Sequence, residues 1–236
     1  MKVIILAGGA GTRAYPYTEY LPKPMMPIGG KPVLVRVMEI YARQGFADFV
    51  LSVGHRKEVI IDYFHKRDLG WNIEIVDTGP NTDTGGRIWN CRDLLGETFM
   101  ATYADGLSDV PLPSLLDFHR ERGGLCTITC VPLRSQYGTV TSDAMGRITS
   151  FREKPVLHDH WINAGFFVMD RGIFEHWKGN SLERDVLPNL LAGDHLTCYR
   201  HPGLFRSMDT YKDQQEIEAM LEEGELPWLH AKVAAA

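Results

Sequence analysis

The chain has 236 residues, 44% of them hydrophobic and 23% charged, the make-up of an ordinary globular protein with one sizeable core. Its net charge of -5 argues against a general nucleic-acid binder, which needs clustered Lys and Arg, and leaves room for a small anionic substrate met by a few local cations. No apolar run approaches the length needed to span a bilayer and Met1 to Leu6 is too short for a signal peptide, so a cytoplasmic protein with no membrane or nucleic-acid partner is expected.

Residues 2–7 (KVIILA) are a β-branched apolar run, the mark of a buried parallel strand, broken by three glycines over Gly8 to Thr12. Helical spacing of apolar residues follows over 33–45, ending on Gly45 as a C-terminal cap. Strands are then expected at 48–53, 72–76 and 98–103. Helices are expected at 57–66 and 87–95, the first with Val59, Ile60, Tyr63 and Phe64 on one face. This alternation predicts βαβ units with right-handed crossovers. Beyond residue 110 the pattern changes. A helix at 115–122 precedes short strands at 126–132, 138–142, 148–152, 161–169, 196–199 and 204–208, with helices at 181–192 and 211–223. The expected architecture is α/β: a mixed, mostly parallel sheet with helices on both faces and a small lobe. One domain over 1–230 is expected, its halves 1–110 and 111–230, with 231–236 as a tail.

The cysteines Cys91, Cys126, Cys130 and Cys198 form no CxxC pair and no cluster with His, which disfavours a disulfide or zinc site; Cys126 and Cys130 flank a TIT run that reads as a strand and are expected to be small core residues. Of the nine histidines only His158 and His160 are a close pair, in what reads as a polar turn, and solvated loop histidines are expected there.

The chemistry concentrates after the first strand, in LAGGAGTRAYPYTEYLPKPMMPIGGKPVL. Gly8, Gly9 and Gly11 lack Cβ atoms, so a loop of them can wrap a phosphate chain or base edge and turn N–H groups toward it. Thr12 adds a hydroxyl, and Arg13 and Lys23 add two cations within reach of one triphosphate. The PKPMMPIGGKP stretch is too rich in Pro and Gly for a helix and reads as a rigid loop holding Lys23. A dinucleotide-binding turn is excluded by spacing: GGAGTR is not G-x-G-x-x-G, and the helix begins only near residue 33. No Gly-Lys-Ser/Thr follows, so the loop is not a Walker motif.

The segment G-G-x-G-T-R with the later P-K-P resembles the signature loop of the sugar nucleotidyltransferases. So do Tyr103-Ala104-Asp105-Gly106, Glu153-Lys154-Pro155, Asn163-Ala164-Gly165 and Met208-Asp209-Thr210, in that order along the chain. Within this family the resemblance is to the glucose-1-phosphate cytidylyltransferases, through VDTG (76–79), TGGR (84–87), TYADGLSDV (102–110), HPGLFRSMDT (201–210) and GELPW (224–228). One departure is the short connection HKRDLGWNIEI after Phe64, where those enzymes carry a longer insertion. It leaves the sugar, and any assembly into a homo-oligomer, open.

The resemblance implies a Rossmann-like sheet with a small sugar-binding lobe, and a reaction between a nucleoside triphosphate, CTP first, and a sugar-1-phosphate, with Mg2+ as cofactor and pyrophosphate as leaving group. It implies catalytic roles for Arg13, toward the pyrophosphate, and Lys23, toward the α-phosphate or incoming phosphate. Leu6, Ala7, Gly8, Gly9, Gly11, Thr12, Thr78, Thr84, Gly85, Arg87 and Asp105 would bind the nucleotide. Tyr103, Gly138, Glu153, Lys154, Asn163 and Gly165 would bind the sugar phosphate. Asp105 and Asp209 would hold the metal, which prefers oxygen ligands and takes few from protein. Uridylyl, thymidylyl and guanylyl transfer remain alternatives, as do cytidylyl transfer to a different phosphate acceptor and a non-catalytic regulatory homologue, which would be expected to lose the loop cations or the carboxylates.

Overall fold

A computed structural model of the protein describes residues 1–15, 17–224 and Trp228. The tail at 231–236 and the GELPW residues between Gly224 and Trp228 lie outside the described residues. The first half contains β1 (Lys2–Leu6), β2 (Pro27–Ile28), β3 (Lys31–Pro32), α1 (Val33–Ala42), β4 (Asp48–Val53) and α2 (Lys57–His65). It continues with β5 (Asn72–Asp77), α3 (Thr84–Asn90), β6 (Thr98–Tyr103) and β7 (Gly106–Ser108). The second half contains α4 (Leu112–Arg122), β8 (Cys126–Arg134), β9 (Thr139–Ser142), β10 (Ile148–Arg152) and β11 (Val156–Asp170). It ends with α5 (Leu187–Ala192), β12 (Leu196–Arg200), β13 (Phe205–Ser207) and α6 (Tyr211–Glu222).

Seven strands form one sheet in the order β12-β8-β11-β6-β1-β4-β5. All are parallel except β11, which runs antiparallel between β6 and β8. Side chains alternate across the strands and build two cores. Val3 and Ile5 face one, with Val37 of α1, Ile60 of α2, Leu115 of α4 and Ile217 of α6. Ile4 and Leu6 face the other, with Ile88 of α3 and Leu190 of α5. Helices therefore cover both faces. The chain runs outward from β1 through β4 to β5, then crosses back to β6 on the other side of β1. That reversal leaves a crevice at the carboxyl ends of β1 and β6, where ligands of open α/β sheets bind.

Several elements differ from expectation for identifiable reasons. The second half adds no separate sheet core: β8, β11 and β12 continue the first sheet edge to edge. The helix expected from residue 87 starts at Thr84, because the Asp83 side chain accepts the Thr84 N–H at its N-terminus and packing overrides the two glycines. The helix expected from 115 starts at Leu112, since a proline in the first turn gives up only an N–H that has no partner there. The strand expected from 161 starts at Val156, which puts His158 and His160 on an exposed strand extension instead of in a turn. The Pro-Gly loop holds a hairpin, β2 paired with β3 across Gly29-Gly30. Cys91 and Cys126 are buried, Cys130 is half-buried, and Cys198 is exposed, unlike a core residue.

Candidate active site

The loop leaving β1 is fastened before it reaches any ligand. Ala7 N–H donates to the Ser52 carbonyl (2.9 Å) and His55 N–H to the Gly8 carbonyl (3.0 Å), tying the end of β1 to that of β4. The Gly8 carbonyl also accepts from the buried Arg87 guanidinium (2.8 Å). Arg87 further donates to the Thr78 hydroxyl (2.8 Å) and the Val53 carbonyl (3.3 Å). A Cβ on Gly8 would lie 1.9 Å from this guanidinium, so glycine is needed for the approach. Burial lowers the Arg87 pKa from its usual value, against the opposing charges of Asp83 and Asp77. Thr78 is buried and hydrogen-bonded to Ser52 (2.8 Å) and to the Val53 carbonyl (3.0 Å). Thus Arg87 and Thr78, both expected among the nucleotide contacts, face each other and the backbone.

Gly11 takes φ 64°, and a Cβ there would lie 2.6 Å from Cβ of Lys23. The glycine loop therefore lies directly on the lysine. Gly9 and Thr12 are exposed, as is Arg13. Lys23 sits in a short 3-10 turn, Lys23–Met25, and is 7% exposed. The hairpin behind it is clamped: the buried Arg36 side chain of α1 donates to the carbonyls of Ile28 (3.0 Å) and Gly29 (3.1 Å). Gln214 of α6 donates to the Pro27 carbonyl (2.7 Å).

Lys23 Nζ donates to Asp105 Oδ2 (2.6 Å) and to Asp209 Oδ1 (2.7 Å), and Arg13 contacts the same Asp209 oxygen at 3.0 Å. Two motifs far apart in sequence meet here because β7, directly after Asp105, pairs with β13, directly before Asp209. The Met208 N–H also donates to the Asp105 carbonyl (3.0 Å). Asp209 is held by the start of α6, where Thr210 and Asp213 form a reciprocal capping pair and Asp213 accepts the Asp209 N–H (3.0 Å). Burial alone would raise the Asp209 pKa. Lys23, Arg13 and the Ser207 hydroxyl outweigh it and hold the carboxyl below its usual value.

Residues 2–202 match the model of the nucleotidyl transferase family. The chain belongs to this family. Among curated relatives, the glucose-1-phosphate cytidylyltransferase of Salmonella typhi is 34% identical over 254 aligned positions, covering 97% of this chain and 98% of that protein. A protein of Bacillus subtilis (strain 168), named as a probable glucose-1-phosphate cytidylyltransferase, is 37% identical over 253 positions, 97% of this chain and 99% of that one. Both alignments are longer than the 236 residues of this chain, so these relatives carry segments that it lacks. Among solved structures, HddC from Yersinia pseudotuberculosis complexed with GMP-PN is 25% identical, with a TM-score of 0.73 over 93% of this chain and 99% of that one. In this nucleotidyltransferase Arg13, Lys23, Asp105 and Asp209, the cations and carboxylates singled out in the sequence, are gathered at one point.

The remaining expected residues fall into three groups. Tyr103 ends β6, and Asn163 and Gly165 lie midway along β11, at a break in its register with β8. The Asn163 side chain accepts the Gly165 N–H (2.8 Å), and a Cβ on Gly165 (φ 76°) would lie 2.3 Å from the Tyr103 ring. Gly138 and Glu153 meet across the β9–β10 hairpin, where a Cβ on Gly138 would lie 3.0 Å from the Glu153 carboxylate. Lys154 follows, exposed, with φ 44°. Thr84 and Gly85 open α3 and pack against residues 180–182, with Gly85 buried. Among the described residues, no group of three or more His, Cys, Asp and Glu side chains forms a metal cage, and no helix is long and apolar enough to cross a membrane.

Proposed function

We propose that this nucleotidyltransferase moves a cytidylyl group from CTP to a sugar-1-phosphate, glucose-1-phosphate first, and releases pyrophosphate. The observation that carries this reading is Lys23, buried between Asp105 and Asp209 beside the glycine loop at the sheet's switch point. The names of the relatives from Salmonella typhi and Bacillus subtilis supply the choice of base and sugar.

In this reading an oxygen of the sugar phosphate attacks the α-phosphorus of CTP. The new oxygen–phosphorus bond forms as the bond to the β-phosphate oxygen breaks, and pyrophosphate departs with the electron pair. No covalent enzyme intermediate is needed. Orientation and charge neutralisation can supply the rate. Lys23 meets the charge on the α-phosphate, and Arg13, exposed at the rim, meets the departing pyrophosphate. The backbone of Gly9 and Gly11 and the Thr12 hydroxyl follow the triphosphate. Leu6, Ala7, Gly8, Thr84 and Gly85 border the base. Arg87 and Thr78 hold the shape of that border. Tyr103, Asn163 and Gly165, with Gly138, Glu153 and Lys154 on the hairpin, form the acceptor side.

Asp105 and Asp209 fit a hard divalent cation, and Mg2+ is the ion proposed. Both present oxygens to a point that already attracts a positive group, the Lys23 ammonium, and two carboxylates plus phosphate oxygens are the donor set Mg2+ favours. When bound, such an ion supplies charge to the α-phosphate and leaving-group oxygens. Residues 1–110 form the nucleotide half and 111–230 the acceptor half, except that Asp209 returns to the nucleotide end. A cytoplasmic setting goes with this reading.

Pyrophosphate release should be measured with CTP, UTP, dTTP, GTP and ATP against a panel of sugar-1-phosphates. CTP with glucose-1-phosphate is expected to turn over fastest. No release from any triphosphate across the panel would overturn the reading.

A further inference from the structure

Residues 180–183 lie over the start of α3 and bring to the cleft a side chain that sequence motifs did not single out. Gly86 N–H donates to the Asn180 carbonyl (2.9 Å), and Leu182 N–H donates to the Thr84 hydroxyl (2.9 Å). The chain then makes a π-turn, Leu182–Val186, a form that recurs at functional positions. This turn presents Glu183, which is exposed. One of its carboxylate oxygens accepts from the Thr84 hydroxyl (2.7 Å) and the Ser181 hydroxyl (3.3 Å); the other accepts from the Tyr103 hydroxyl. Glu183 thus joins the end of β6 to the start of α3, on either side of the end of β1.

This arrangement has a definite polarity. Thr84, Ser181 and Tyr103 each own one hydroxyl proton, and all three protons are directed at one carboxylate. What remains for a ligand is lone pairs on hydroxyls and on an anionic carboxylate. Such a wall accepts hydrogen bonds and donates none. Cytosine carries an exocyclic amine at position 4, a donor, where uracil and thymine carry a carbonyl oxygen, an acceptor.

We propose that Glu183 selects the base, its carboxylate accepting the exocyclic amine of cytosine and repelling the O4 oxygen of uracil or thymine. This rests on the reading above, in which Thr84 and Gly85 border the base.

The test is calorimetric binding of CTP and UTP with Mg2+ and no acceptor sugar, to the wild type, Glu183→Gln and Glu183→Asp. Glu183→Gln replaces one acceptor with a donor at nearly the same shape. It should cut the CTP-to-UTP preference by about tenfold or more, the discrimination one good base contact supplies, and Glu183→Asp should keep it. A second probe needs no variant: the triphosphate of the pyrimidin-2-one nucleoside, which is CTP without its amine, should bind the wild type about tenfold more weakly than CTP. A wild type that prefers CTP, with Glu183→Gln leaving the preference unchanged or the amine-free analogue binding as tightly as CTP, would overturn this inference and leave the cytidylyl reading standing. A wild type that does not prefer CTP over UTP would overturn both.

Discussion

Lys23 and Arg87 carry their charges at 7% and 3% exposure, each held by partners from distant parts of the chain. Glu153 and Lys154 stand on a hairpin whose own apolar side chains, Val140, Ile148 and Phe151, are 52%, 67% and 63% exposed. In the proposed reading the first pair belongs to the nucleotide end of the cleft, the second to the acceptor end. A buried cation that must keep every partner is fixed in place before substrate arrives, which suits stabilising charge in a transition state. An exposed cation on a lightly packed hairpin contributes when a phosphate orders it, which suits capture and exchange of an acceptor. The difference teaches where substitutions should damage folding, chemistry or binding.

The largest effect is expected at the carboxylate pair. Asp209→Asn removes one of the two charges facing Lys23, and kcat for pyrophosphate release should fall about 10²–10³-fold, the scale of losing one preorganised electrostatic group. Unaltered turnover at limiting Mg2+ would remove Asp209 from the metal site. The next effect is on stability. Arg87→Met removes three hydrogen bonds at a buried position, to the Gly8 and Val53 carbonyls and the Thr78 hydroxyl, each of which keeps one other partner or more, and should lower the unfolding free energy by about 2–4 kcal/mol. Urea denaturation would measure it, and a change within about 0.5 kcal/mol, the range of surface substitutions, would show that the nucleotide end is not braced as described. The smallest effect should come from the hairpin: Phe151→Ser should shift stability by no more than about 0.5 kcal/mol. A larger loss in the same urea titration would mean that the acceptor end is as tightly built as the other.

The strands of the first sheet were legible because β-branched runs such as those of β1 and β4 bury both faces of a parallel sheet. Lys23, Asp105 and Asp209 stood out in the sequence, and the resemblance implied that the two carboxylates share a site, but the placing of Lys23 between them was not legible. It depends on β7, three residues with no periodic signal, pairing with β13. Arg87 shows another limit. Composition places a cation near the glycine loop, and only the fold shows that it points at the Gly8 carbonyl. Glu183 was hidden because its segment reads as an ordinary charged helix, and a π-turn leaves no mark at the helical period. A local clue was present in Ser181, whose side chain caps the turn by accepting the Arg184 N–H (3.3 Å).

The division of the cleft is tested most directly by steady-state kinetics of Lys154→Ala, with CTP and the sugar-1-phosphate varied in turn. The account predicts a higher KM for the sugar phosphate, by a factor corresponding to about 1.5–3 kcal/mol for a lost hydrogen bond to a charged group, with the KM for CTP and the stability nearly unmoved. A Lys154→Ala enzyme that loses affinity for CTP and keeps its affinity for the sugar phosphate would contradict it.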